Sequence, residues 1–452
     1  MIFLIARFPK WHHLYPMANT LKHKIEQRMK LQGILSNIVW LFGDRILRMV
    51  IGLWVGVWLA RYLGPEQFGH LNYSIALVTL FGTIAGLGLQ DIVIRDLVKE
   101  PESVSQLLGT AFVVQFTGGV VAIMLIASFI IFRHPHDSLT KGIVSIISLT
   151  VIIKTTDVIK YWFEANVKSK YTVIIENGAF ICIAITKLIL IIGHAPLIAF
   201  AWATLVEALI VAGGLLLLYE LKVGYFRDWN LHKARALYLL RESWPLILSG
   251  VAIMVYMRVD QIMIGEMLGN QSVGIYTAAM RISEVWYFVP IAIMSSVFPS
   301  IIAAKDTGKD SYIDKLYTLY RLMFYLALTV CFLLTLVADI IIPSIYGSQY
   351  YEASSILKIH TWSGLFVAVG LVNGRWLLLE NHLVTGTINT TLGALINIIL
   401  NLILIPIYGI KGAALATLVS YGFASYFLLA VWKNTRDSFY AINKAIFFRG
   451  IR

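Results

Sequence analysis

Arg258 and Asp260 lie two residues apart within one apolar run of the sequence, and Arg281 and Glu284 lie three apart within the next. Charged side chains so placed are costly to bury in hydrocarbon and commonly face a cavity, an opposite charge or an ion pathway. Two more clusters share the setting. Asp44, Arg45 and Arg48 fall in one run, with Asp44 and Arg48 spaced to pair along a helix face. Lys154, Asp157 and Lys160 recur every three residues in another, a polar stripe on one side of a helix. Glu176, Lys187, Glu207, Lys358 and Arg375 lie in further runs, and the interior as a whole holds ten Lys or Arg against seven or eight acids. Fixed cations in a low-dielectric cavity attract phosphate strongly, so the balance suits an anionic passenger. Internal ion pairing that only sets helix packing is an equal reading for the Asp44 and Lys154 clusters. Lys160, Lys187 and Lys358 stand near run ends, where a long side chain reaches water.

Helices must position these groups. Of 452 residues, 58% are apolar and 14% charged, against about 25% charged in an ordinary soluble domain. The apolar residues come in blocks near the ~20 needed to cross ~30 Å of hydrocarbon. Twelve spans are predicted, at 34–60, 70–94, 106–132, 142–163, 171–192, 195–219, 244–265, 274–302, 319–345, 353–378, 385–407 and 411–432. The fold class is thus an all-α polytopic membrane protein. Lys and Arg on alternate sides number 23 against 4, which puts both termini in the cytoplasm. At a helical rise of ~1.5 Å, Arg45 would lie about 16 Å into its span, Arg258 about 21 Å, and Arg281 about 10 Å from the opposite side. Arg258 and Arg281 could then meet at one level, and Arg48 and Lys154 also fall near mid-membrane.

Between the spans lie short basic segments, so the net charge of +12 reads as topology signal rather than a nucleic-acid surface. Residues 1–33 are basic and expected on the cytoplasmic side, either as a surface amphipathic helix around "KHKIEQRMK" or as an over-long start ahead of Met29. A linker at 220–243 and a basic tail at 433–452 share that side. Cys182 and Cys331 fall in apolar runs and read as small core residues, with no zinc or disulfide pattern. "EVWYF" at 284–288 reads as packing aromatics in preference to a sugar or polyprenyl platform, and Pro290 is expected to kink its helix. The sequence has no GxxxxGK[ST], GxSxG, HExxH or Asp-x-Asp, which argues against an ATPase, hydrolase or glycosyltransferase. No metal site or bound cofactor is expected, and the chain is not expected to be an enzyme.

A short turn occurs twice. "RYLGPEQFGHL" at 61–71 is echoed by "EMLGNQSVGIY" at 266–276, "LILI" at 188–191 by 402–405, and "ATLV" at 203–206 by 416–419. The offsets are 205, 214 and 213. An even number of spans separates the copies, so the halves share one orientation. This is a parallel repeat, with six-helix lobes at 34–219 and 244–432, a pseudo-twofold axis along the membrane normal and a central cavity. The repeated glycines read as structural.

"ARYLGPEQFGHLNYSIALVTLF", "GLGLQDIVIRDLV" and "RVDQIMIGEMLGNQSVGIYTAAMRISEVWYFVPIAIMSSVFPSI" resemble the bacterial polysaccharide repeat-unit flippases, the O-antigen or Wzx-type members of the multidrug/oligosaccharidyl-lipid/polysaccharide flippase superfamily. "IYGSQYYEASSILKIHTW" and "NLILIPIYGIKGAALATLVSY" agree, and the resemblance covers about residues 30–432. It implies an inner-membrane protein of surface-polysaccharide and lipopolysaccharide biosynthesis. Such a protein flips undecaprenyl-diphosphate-linked oligosaccharides outward by alternating access, driven by H+, Na+ or the membrane potential. Carried onto this chain, Arg45, Arg48, Lys154, Arg258 and Arg281 would be lumen cations, and Asp44, Asp157, Asp260 and Glu284 would balance them or bind a coupling ion. Implied partners are the lipid-linked oligosaccharide, membrane lipids, and the polymerase and chain-length machinery. A cation or drug antiporter of the same superfamily is the alternative, and a membrane glycan polymerase a weaker one.

Overall fold

The computed structural model describes residues 14–86 and 88–447, without the side chains of 14–42, Asp44, Arg45, Pro245, Thr307, Lys309 and Phe447. Among the described residues every regular element is helical. Eleven stretches are long and apolar enough to cross a membrane. The first, Ile46–Lys99, comprises a helix that turns back at Gly64 and ends at Gly86 and a second helix Leu89–Lys99, so it supplies spans 1 and 2. Ten more follow: Pro101–Arg133, Ser138–Ala165, Lys170–Ile192, Leu197–Lys222, Leu246–Leu268, Asn270–Asp306, Asp310–Tyr346, Ala353–Leu379, Leu383–Tyr408 and Ile410–Val431 (spans 3 to 12). The twelve predicted spans are therefore all present. A thirteenth helix, Arg436–Phe447, packs Ile442 and Ala445 onto span 9 at the end of the chain.

The repeated turn is repeated in three dimensions. Gly64 adopts φ 69°, ψ 172° and Gly269 φ 87°, ψ 171°, a left-handed conformation that a Cβ disfavours. The two turns also touch. A Cβ on Gly69 would stand 1.7 Å from the Asn270 carbonyl oxygen, and one on Gly274 would stand 1.9 Å from that of Pro65. The halves of the chain therefore meet backbone to backbone at this end, hereafter the turn end.

Four of the spans that line the interior are broken. Span 8 passes through a 3₁₀ turn at Val285–Tyr287. Pro290 lacks the N–H that would bond the Trp286 carbonyl, which places the break where the sequence predicts the kink. Trp286 and Tyr287 pack rather than project into a lumen. Trp286 is buried over Gly364, where a Cβ would meet its ring at 2.5 Å, and the Tyr287 hydroxyl lies 3.3 Å from Ser363. Span 4 tightens at Lys154–Asp157, span 10 turns at 361–362, and span 12 widens to a π-turn at Phe423–Phe427. Such irregular backbone within a membrane is tolerated where it is buried in protein or lines a cavity.

Candidate functional site

The break in span 4 turns its charged residues in different directions. Lys160 bonds Asp157 at 3.0 Å and Glu176 of span 5 at 2.6 Å, and Arg48 of span 1 approaches Glu176 at 3.6 Å. This chain of two cations and two anions is internally balanced, as the ion-pairing reading anticipated for Lys160. Arg48 also lies 5.5 Å from the centroid of the Phe180 ring. Lys154 differs: it is exposed, with no hydrogen bond or ion pair among the described residues. It lines two adjoining cavities of about 360 and 280 Å³, which share Thr150, Lys154, Asp157 and Thr204. The first is walled otherwise by Thr79, Thr83, Gln115 and Tyr161, and the second by Arg48, Lys160, Glu176 and Glu207.

A second group of cations gathers around Arg281 of span 8. Arg281 packs against Gly56 of span 1, where a Cβ would lie 2.1 Å from its Nη1, and donates from Nη2 to Asn72 Oδ1 at 3.0 Å. Its guanidinium lies 5.1 Å from the centroid of the Phe68 ring. A residue of the last six spans thus grips the hairpin of spans 1 and 2. Arg258 and Glu284 lie within electrostatic reach of Arg281, and so does Lys187 of span 5, which in turn faces Glu207. The snorkelling reading of Lys187 is corrected: the lysine points into the protein between the two groups. Among the described residues Lys187 and Arg258 form no hydrogen bond or ion pair. Replacing Lys187 by methionine, of similar length and no charge, is expected to lower transport roughly tenfold at unchanged membrane yield. Vesicle assays with wild-type activity would remove Lys187 from the site.

The sequence suggested Arg258–Asp260 and Arg281–Glu284 as pairs, and neither forms. Residues two apart point to opposite sides of a helix, so Arg258 and Asp260 diverge. Arg281 reaches sideways to spans 1 and 2 instead of along its own helix. Asp260 enters a buried polar cage in the last six spans. It accepts from Asn401 Nδ2 at 2.6 Å, from the Tyr276 hydroxyl at 2.8 Å and from Thr417 Oγ1. Asn397 backs Asn401 at 3.1 Å, and Asn401 Oδ1 has no partner. Sequence reading missed these residues because it counted charges alone. The polar pair Asn397 and Asn401, one turn apart in an apolar span, was the available signal. The side chains of Asp44 and Arg45 lie outside the described residues.

Two of the interior cavities differ in polarity. The cavities of the first six spans carry Lys154, Asp157 and their neighbours. A cavity of about 280 Å³ in the last six is lined by Ser249, Tyr256, Asn373, Asn389, Thr390 and Ser425, without a charged group.

Solved structures with this architecture are two-lobed transporters. A lipid II flippase MurJ in an inward closed conformation matches with a TM-score of 0.70 at 18% identity, over 90% of this chain and 91% of that one. An inward-facing multidrug resistance MATE family transporter matches at 0.69 and 14% identity, over 90% and 99%. The protein is thus an all-helical membrane protein of the twelve-span, two-lobed class. The chain belongs to the polysaccharide biosynthesis protein family, whose model matches residues 34–305, and with it to the multidrug/oligosaccharidyl-lipid/polysaccharide flippase superfamily. The MatE family model also matches residues 245–403. Among relatives, the probable flippase AglR of Haloferax volcanii is 24% identical over 84% of this chain and 79% of its own length.

Proposed function

We propose that the protein flips a polyprenyl-diphosphate-linked oligosaccharide, a precursor of O-antigen or a similar surface polysaccharide, from the cytoplasmic to the outer leaflet. In a bacterial inner membrane the carrier would be undecaprenyl diphosphate. One observation carries this reading. Lys187 and Arg258 lie within electrostatic reach of Arg281, Lys154 lines the cavities of the first six spans, and among the described residues none of the four has a directly bonded carboxylate, while Lys160 and Arg48 have theirs. Such cations hold a diphosphate through charge-assisted hydrogen bonds, and the threonines, Gln115 and Tyr161 of the adjoining cavity offer hydrogen-bonding groups to sugar. Two Haloferax volcanii relatives named as probable flippases, AglR and the low-salt glycan biosynthesis flippase Agl15, support the passenger class. The excess of Lys and Arg on the side of the termini orients them to the cytoplasm, so the turn end faces outward.

Asp260, Asn401, Asn397, Thr417 and Tyr276 form an oxygen-rich cage suited to a small coupling cation or a proton. In Asp260→Asn the dependence of transport on a Na+ or H+ gradient should vanish while passenger binding persists. Proteoliposomes holding the full chain and a lipid-linked oligosaccharide provide the test, read by lectin access to the outer leaflet. Protein-dependent exposure of the glycan is expected, and its absence under every gradient would overturn the flippase reading. The MatE match over 245–403 supports a cation-coupled antiporter as the second reading. Drug efflux without a glycan phenotype would favour it.

A further inference from the structure

The neutral cavity of the last six spans lies between spans 7, 10, 11 and 12. It sits toward the end opposite the repeated turns, since Leu383 begins span 11 and Thr390 stands about 10 Å further along. Its wall alternates acceptors and donors. The Thr387 and Thr390 hydroxyls donate to the carbonyls of Leu383 and Gly386 at 3.2 and 3.0 Å, which leaves their lone pairs free to accept. Asn389 supplies a donor. Its Oδ1 accepts from the Trp432 indole Nε1 at 2.8 Å, and an indole N–H can only donate. The amide is therefore fixed, with its NH2 group turned away from Trp432. Asn389 is 2% exposed, and its Nδ2 has no hydrogen-bond partner among the described residues. A buried donor left in that state is costly, so an acceptor in the cavity would offset the cost.

The rest of the wall is held from behind. Ser438 of the terminal helix donates to Asn373 Oδ1 at 2.9 Å, and Gly370 lets Ser425 approach, since a Cβ there would lie 2.7 Å from its Oγ. Tyr256 stacks on Tyr421, with ring centroids 4.1 Å and planes 12° apart. Tyr421 lies within electrostatic reach of Glu284, and Glu284 within reach of Arg258 and Arg281. The tyrosine pair thus links the neutral cavity to the cations around Arg281.

We propose that this cavity is a subsite for one neutral sugar ring of the passenger. The inference rests on the reading of that passenger as a lipid-linked glycan. Every hydroxyl of a sugar both donates and accepts, which matches a wall of threonine lone pairs and an unpaired amide. An anionic group would lose its hydration here without gaining a countercharge. The volume of about 280 Å³ is near the lower end of the ~300–1,000 Å³ usual for small-ligand pockets, which suits a single ring rather than a whole repeat unit. With the diphosphate at Arg281, the glycan would extend past the tyrosine pair into the last six spans, on the side from which the passenger loads.

Saturation-transfer NMR on the full chain in nanodiscs tests the assignment, with methyl glycosides of neutral hexoses, N-acetylhexosamines and hexuronates as probes. At least one neutral glycoside should bind, and hexuronates should bind at least tenfold more weakly. A Cβ on Gly374, in the cavity wall, would meet nothing within 4 Å. Gly374→Leu should therefore fill the cavity without moving backbone, and weaken binding at least tenfold at unchanged membrane yield. Thr390→Val keeps the shape, removes one hydroxyl and should weaken binding about three- to tenfold. Failure of every neutral glycoside to bind, equal binding by Gly374→Leu, or a preference for hexuronates overturns the proposal. Should Gly374→Leu not reach the membrane, unchanged binding by Thr390→Val overturns it instead. Glycoside binding that Gly374→Leu abolishes, in a protein that moves no lipid-linked glycan, would remove the proposed passenger and leave the subsite. Translocation at the wild-type rate by Gly374→Leu would remove the subsite and leave the flippase.

Discussion

Replacing Gly274 by alanine is expected to force the lobes apart at the turn end and reduce transport at least tenfold. The added Cβ would stand 1.9 Å from the Pro65 carbonyl oxygen and 2.8 Å from its carbon. Both are backbone atoms that no rotamer change can move aside. Gly69→Ala meets the same obstacle, with its Cβ 1.7 Å from the Asn270 oxygen and 2.6 Å from the carbon. Overpacking of this kind commonly costs about 1–3 kcal/mol, or roughly a five- to hundredfold shift between closed and open seams. The variant should reach the membrane normally, because each six-span half keeps its own packing. Labels across the seam should report the open state, and lectin access should report the lost cycle. Full transport by Gly274→Ala would mean that the closed seam is not on the working cycle.

The second large effect is expected at Arg281. Arg281→Met keeps much of the side-chain length and removes the charge, and should lower glycan translocation roughly a hundredfold, the loss that follows when a desolvated charge pair loses one member. Arg281→Lys should recover only part of it, because a point charge replaces a fork that reaches Asn72 while lying over Phe68. Membrane yield and thermal unfolding separate a lost ligand from a lost contact. If the methionine variant folds, reaches the membrane and flips normally, Arg281 does not hold the passenger.

Much of this architecture is legible in the sequence because its cause is local. Twelve apolar runs, the glycine turns and the break before Pro290 each follow from a few consecutive residues. The sites were less legible because their partners come from distant helices. Arg258 and Asp260 are neighbours in sequence, yet one faces the group around Arg281 while the other enters a cage from spans 8, 11 and 12. Lys187 looked peripheral from its place in span 5, and only the packing of that span beside Arg281 turns it inward. Asn389 and Trp432 gave no signal either, since their 43-residue separation hides a 2.8 Å bond. Span positions follow from hydropathy, whereas pairing follows from helix rotation, which apolar composition leaves free.

The touching turns carry one more consequence. Gly69 meets Asn270 as Gly274 meets Pro65, and the offset of 205 that relates the two glycines also relates residues 65 and 270. Such reciprocity is the geometry of an isologous interface, in which a surface is its own complement. The molecule is, at this seam, a two-fold dimer written into one chain. Its connecting segment at 220–243 adds contact to effective concentration, since Trp229 packs on Phe112 and Tyr219 and Arg235 pairs with Asp96 and Glu100. Divergence was free to place Lys154 and Lys187 in one half and Arg258, Arg281 and the Asp260 cage in the other, provided that neither half gained a side chain at the axis.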